Sequence, residues 1–129
     1  RYLADKHDNI KYLGYVSDDE KVRLYSGAEA TIQTSIHEDF GLVPREGFAR
    51  GTPAIVPNEG GHAEAIHNED CGIAFNPSNR AENLRKAVRR FDESEYDSDI
   101  LRRESERYDI ETIKPQLEKQ VRKAVKRYG

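Results

Sequence analysis

Glu38 and Glu46 flank the stretch DFGLVPR, and the second is followed by Gly51-Thr52-Pro53 and then by Gly60-Gly61. A carboxylate has two acceptor oxygens and can take hydrogen bonds from two neighbouring hydroxyls, so two such groups suit a polyhydroxylated ligand. Between them, Phe40-Gly41-Leu42-Val43 precedes a helix expected to start near Val43 or Pro44, where proline is favoured in the first turn. The first N–H groups of a helix lack intrahelical acceptors and carry the positive end of its dipole. A glycine beside them lets an anion approach the backbone, as phosphates do at such places. Gly60-Gly61, after the next strand, is placed to face the same mouth. Acceptors for diols and donors for phosphate together describe a site for a sugar nucleotide. Each feature also has a plain explanation: Glu is common at helix starts, and Gly41 or Gly60-Gly61 serves equally as a tight turn.

Positioning such a loop requires strands that end at it and helices that leave it. Asn9–Val16 alternates apolar residues and reads as a strand. Ser17, with Glu20 three residues on, forms a capping box opening a helix that Gly27 ends. Ala28–Ser35 reads as a second strand, Pro53–Pro57 as a short buried parallel strand, and Cys71–Pro77 as a fourth. A short helix follows Gly60-Gly61. A longer one from Ser78 puts Ala81, Leu84, Ala87, Val88 and Phe91 on one face. Two more helices close the chain; in the last, Ile113, Leu117, Val121 and Val125 recur every four residues and Pro115 is expected near the start. Alternating strands and helices predict an α/β domain with a parallel sheet, whose ligands bind beyond the carboxyl ends of the strands.

The chain's 129 residues suit one domain, 1–129. A net charge of −3 argues against general nucleic-acid binding. The lone Cys71 allows no internal disulfide and points to a reducing, cytoplasmic compartment. No apolar run has the length to span a bilayer. The basic run Arg85–Arg90 leaves contact with a membrane surface open. The four histidines show no metal-ligand spacing, so no metal is expected. His37, His7 and His67 read as surface residues, whereas His62 in the glycine loop is balanced between a surface and a site role. Cys71 reads as a buried structural thiol. The opening RYLADKHDN reads like the end of a helix, so the chain is expected to be cut from something longer.

The stretch SIHEDFGLVPREGFARGTPAIVPNEGGHAEAI resembles the motif region of the family 4, or group 1, glycosyltransferases. The matching residues are Ser35, Glu38, Phe40-Gly41-Leu42, Glu46, Gly51-Thr52-Pro53, and Gly60-Gly61 with Glu64. The resemblance covers nearly the whole chain. It implies a Rossmann-like parallel sheet with flanking helices, the C-terminal, donor-binding domain of the two-domain GT-B architecture, here partial on its N-terminal side. It further implies metal-independent, retaining transfer of a sugar from a nucleoside diphosphate to an acceptor hydroxyl, on a carbohydrate or a lipid-linked molecule. By position, Glu46 would hold the ribose hydroxyls and Glu38 would lie by the donor sugar as the catalytic carboxylate. The backbone of Phe40, Gly41, Leu42 and Val43 would meet the sugar and diphosphate. Tyr15 and Val16 would lie against the base. Gly60 and Gly61 would close the site, with His62 and Glu64 as further candidates.

Three positions depart from the family pattern: Arg45 stands where an apolar residue is usual, Gly47 for Ala, and Phe48 where Met is common. The resemblance also implies two earlier strands, a basic pair that neutralises the diphosphate, and a partner domain for the acceptor, none of which this chain matches. In that arrangement the strand at Ile10 is separated from the strand at Ala30 by a gap. The chain alone is therefore expected to transfer no sugar. The rival readings are a non-catalytic nucleotide-binding or assembly module, and half of a GT-B epimerase or phosphorylase.

Overall fold

The computed structural model describes residues 1–128. Three parallel strands form the sheet in the order β1 (Thr31–Ile32), β2 (Ala54–Pro57), β3 (Gly72–Phe75). Thr31 pairs with Ala54, and Ala54 through Pro57 pair with Gly72 through Phe75. Helices run between and around them: α1 (Asp18–Gly27), α2 (Leu42–Phe48), α3 (Gly60–Ala65), α4 (Arg80–Asp92), α5 (Ser98–Glu106) and α6 (Ile110–Tyr128).

The run AIVP becomes the middle strand because it is apolar on both faces, which only a strand covered on both sides tolerates. All four of its residues are buried. Its two-residue period divides the core. Ala54 and Val56 pack with Phe48 of α2, Ala65 of α3, Cys71 and Leu101 of α5. Ile55 faces the other way, with Ile73, Phe75 and Ala87 of α4. Leu84, Val88 and Phe91 extend that second layer, as the helical periodicity predicts, although Ala81 is exposed. The fold is an α/β layer structure with a parallel sheet, and both crossovers, β1–α2–β2 and β2–α3–β3, are helical.

Several boundaries differ from expectation. Asn9–Val16 is no strand: it lies outside the sheet, with Ile10, Tyr12, Leu13 and Tyr15 exposed. Alternation shows that a segment has one apolar face; it does not supply an edge whose N–H and C=O groups would pair with it. With that segment outside, the sheet runs through three adjacent strands and the expected gap does not arise. The strand expected over Ala28–Ser35 contracts to Thr31–Ile32, because the chain then turns away and His37 takes φ 61°. Helix α2 starts at Leu42, one residue ahead of the expected start, and Pro44 still falls in its first turn. Pro115 lies inside α6, five residues past Ile110, and so removes one helical hydrogen bond. No residue of α6 is buried, and Ile110, Ile113, Leu117, Val121 and Val125 form an exposed apolar stripe. Among the described residues no helix is long and apolar enough to cross a membrane.

Candidate functional site

At the carboxyl ends of β1 and β2 two glycine turns fit into each other. Gly41 takes φ 67° and caps α2. Its amide donates to Glu38 Oε1 at 3.3 Å. The main-chain carbonyl of Glu38 accepts the Gly61 amide at 2.7 Å, which ties the first motif to the second. At Gly61 a Cβ would sit 2.5 Å from the Phe40 backbone. A Cβ on Gly41 would meet the Gly61 carbonyl at 2.7 Å. Gly60 backs onto the Glu38 carbonyl in the same way. Glycine is required here by contact as well as by backbone angle. Glu38, Phe40, Gly41, Gly60 and Gly61 thus form one continuous structure.

Arg45 fastens it from below. Its side chain is 6% exposed, and Nη1 donates to the carbonyls of Gly41 at 3.1 Å and Gly61 at 3.5 Å. The guanidinium lies in the corner of two perpendicular rings, 4.5 Å from the Phe40 ring centre and 4.3 Å from that of Tyr108. His62, the residue after Gly61, is 2% exposed, and its Nε2 lies 3.3 Å from Ser35 Oγ. Burial lowers its pKa below the ordinary 6.5; the Glu38 carboxylate opposes that shift and the Arg45 cation adds to it. His62 is therefore a neutral ring inside the glycine loop. His37 lies on the surface, with Nδ1 2.9 Å from Glu59 Oε1. His67, read as solvated, is exposed, and its Nε2 lies 3.0 Å from Glu104 Oε2.

Glu46 occupies a second region, between α1 and α2. Its Oε1 accepts from Lys21 Nζ at 3.1 Å and its Oε2 from the Tyr25 hydroxyl at 2.9 Å. Burial, reinforced by the Glu46 carboxylate, pushes the Tyr25 hydroxyl up to about 12. The Glu46 hydrogen bond and charge raise the pKa of Lys21 as well. These groups line a cleft of about 350 Å³ with Asp18, Val22, Ala49 and Arg50. On its other side Glu46 borders a cleft of about 330 Å³ lined by Phe40, Leu42, Arg45 and Tyr108. Glu46, with Ala49, thus forms the ridge between the α1 cleft and the cleft that α2 makes with the α5–α6 end.

The remaining sequence candidates distribute unevenly. Leu42 and Val43 open α2, so their backbones lie beside the Gly41 turn. Val16 is half-buried just before the α1 cap, where Ser17 Oγ accepts the Glu20 amide at 3.2 Å. Tyr15 is 98% exposed and points away from the packed structure. Glu64 is exposed on α3. Among the described residues no cluster of three or more His, Cys, Asp or Glu side chains is disposed to hold a metal ion. Cys71 is buried in the core and its thiol is pushed up to about 11, chiefly by burial, as befits a structural thiol. Sequence reading missed Lys21 and Tyr25 as partners of Glu46. Their four-residue spacing, which puts both on one face of α1, is the signal that could have found them.

Comparison with known proteins places this arrangement. An uncharacterized glycosyltransferase of Methanocaldococcus jannaschii is 39% identical over 78 residues, 60% of this chain and 20% of that protein. A glycogen synthase of Mycobacterium tuberculosis is 37% identical over 89 residues, 67% of this chain and 21% of the enzyme. An alpha-1,3/1,6-mannosyltransferase of Mus musculus is 31% identical over 74 residues, 57% of this chain and 18% of that protein. The chain spans about a fifth of the length of these relatives. The family model for glycosyl transferases group 1 matches residues 2–109, which include both glycine turns, Glu38, Glu46 and the Tyr25 face of α1, and the chain belongs to that family.

Proposed function

We propose that this domain binds the nucleoside diphosphate sugar of a retaining, metal-independent family 4 glycosyltransferase of GT-B architecture. The acceptor hydroxyl, on a carbohydrate or a lipid-linked molecule, is brought by a further domain of the same protein. The observation that carries the reading is the 2.7 Å bond from the Gly61 amide to the Glu38 carbonyl, which joins the two glycine motifs at the carboxyl ends of adjacent parallel strands. The free amides of these turns would receive the diphosphate, and Glu38 would lie beside the sugar. Helix α2 has only seven residues, so the local amides and side chains matter more here than a long helix dipole.

Glu46 remains able to take the ribose diol although it is already bonded. A carboxylate has about four acceptor directions, and Lys21 and Tyr25 use one on each oxygen. The side chains that hold it also orient it, so little ordering remains to be done when the ligand arrives. A lone buried thiol fits a reducing compartment, and we place the protein in the cytoplasm on that ground.

Calorimetry on the full-length protein with UDP, GDP and ADP tests the reading. Glu46 contacts a part of the ligand that does not react, so Glu46→Ala is expected to weaken nucleotide and nucleotide-sugar binding together. Losing a hydrogen bond to a charged group costs about 1.5–3 kcal/mol, or roughly 10- to 150-fold in affinity. Glu38→Gln is expected to leave nucleotide affinity nearly intact and to lower kcat more than it raises KM, because it faces the group whose charge changes. Unchanged nucleotide affinity in a folded Glu46→Ala protein would remove the donor-site assignment.

A further inference from the structure

Arg45 is a buried cation whose partners among the described residues are two backbone carbonyls and two ring faces, with no carboxylate. Its Nε is buried and makes no hydrogen bond. Burying a charge without a counter-ion is costly, and an apolar side chain would fill the space between Phe40 and Tyr108 more cheaply. The geometry shows what the charge reaches. Nη1 bonds the carbonyl of the Gly41–Leu42 peptide and approaches that of the Gly61–His62 peptide. The peptides are trans, so each N–H points opposite to its own C=O and therefore away from the guanidinium. Those two N–H groups belong to Leu42 and His62, both in first helical turns, where intrahelical acceptors are lacking. A carbonyl that accepts a charge-assisted bond polarises its peptide and makes the N–H on the far side a stronger donor.

We propose that Arg45 is a positioning residue of the donor site, whose buried charge fixes the two glycine turns against each other and strengthens the Leu42 and His62 amides as donors to the diphosphate. The inference rests on the donor-site reading above. It assigns to a side chain of α2 part of the charge compensation that a diphosphate demands. It also ties the site to Tyr108, between α5 and α6, whose ring stands at 86° to that of Phe40 and forms the second wall of the corner that holds the guanidinium.

The test compares a nucleoside diphosphate with its free nucleoside on the full-length protein, using the best-bound base among UDP, GDP and ADP. If the unaltered protein binds none of the three, the donor reading fails and Arg45 loses its role with it. If it binds, Arg45→Met is expected to lose about tenfold in diphosphate affinity while nucleoside affinity stays within about twofold. Arg45→Lys, which keeps the charge without the planar fork, recovers part of the loss. Equal losses for both ligands, or no loss, would overturn the role of Arg45 while leaving the donor site standing. Should Arg45→Met not fold, Tyr108→Leu, which removes one of the two ring faces against the guanidinium, is expected to lose about threefold for the diphosphate alone. A nonselective or absent change there overturns the inference equally.

Discussion

The two carboxylates of the motif sit in regions built on opposite principles. Around Glu38 the structure is backbone against backbone: Gly41, Gly60 and Gly61 leave no room for a Cβ, and the decisive bond joins two main-chain groups. Around Glu46 it is side chain against side chain, with Lys21 and Tyr25 reaching from α1 across an open cleft. The first region is fixed by shape and fails abruptly when shape changes. The second is held by hydrogen bonds that face water, so it yields by degrees. A cleft of this kind can keep its glycine end rigid while its α1 end adjusts.

The sharpest way to break the contrast is Gly61→Ala. The added methyl would lie 2.5 Å from the Phe40 backbone, which has no flexible end to move aside. Overpacking of this kind costs about 1–3 kcal/mol, and a contact to backbone belongs at the upper end. Urea unfolding should register that loss; on the proposed donor-site reading, nucleotide binding by the full-length protein should be lost with it. A variant as stable as the parent would mean that the turns are not interlocked.

Tyr25→Phe probes the other region and should do less. It deletes the 2.9 Å bond to Glu46 and leaves Lys21 in place. With the cleft open to solvent, about 1 kcal/mol of stability is expected to go. A loss as large as that of Gly61→Ala would show that the α1 cleft is as rigid as the glycine turns.

The smallest expected effect is a pH slope. The folded protein holds His62 neutral at pH values where the unfolded chain, with its pKa near 6.5, has begun to bind a proton. The unfolded state then carries more protons, so stability is full above pH 6.5. It falls as pH drops through that value and levels off only below the lowered folded pKa. His62→Gln should flatten this part of the stability profile, measured from pH 7 down to pH 5. A slope that persists unchanged in the variant would assign it to another group.

Much of this was readable before any coordinates. Ser17 with Glu20 marked the start of α1, and the Ser17 cap is there. The apolar run Pro53–Pro57 marked a strand covered on both sides, and the middle strand lies there, over Ala54–Pro57. Glu38, Gly41 and Gly61 could be named because their order along the chain is itself the pattern. What could not be read depends on partners distant in sequence. The alternation at Ile10–Tyr12 looked like a strand, but pairing needs a neighbour that a local pattern does not report. Arg45 could be marked as out of place among apolar positions. Its reason is Tyr108, more than two helices later, and no spacing rule joins them. Tyr15 was placed by likeness alone, and its ring stands in solvent.

Helix α6 has its own consequence. Because no residue of α6 is buried, tertiary packing adds little to its helical hydrogen bonds, and Pro115 removes one of them. A helix of 19 residues without tertiary support is marginal in water. Its amides should therefore exchange with solvent far sooner than those of β2, by opening locally while the sheet stays closed. The exchange rate of α6 then becomes a gauge: whatever covers the stripe from Ile110 to Val125 will announce itself by slowing it, without any change in the strands.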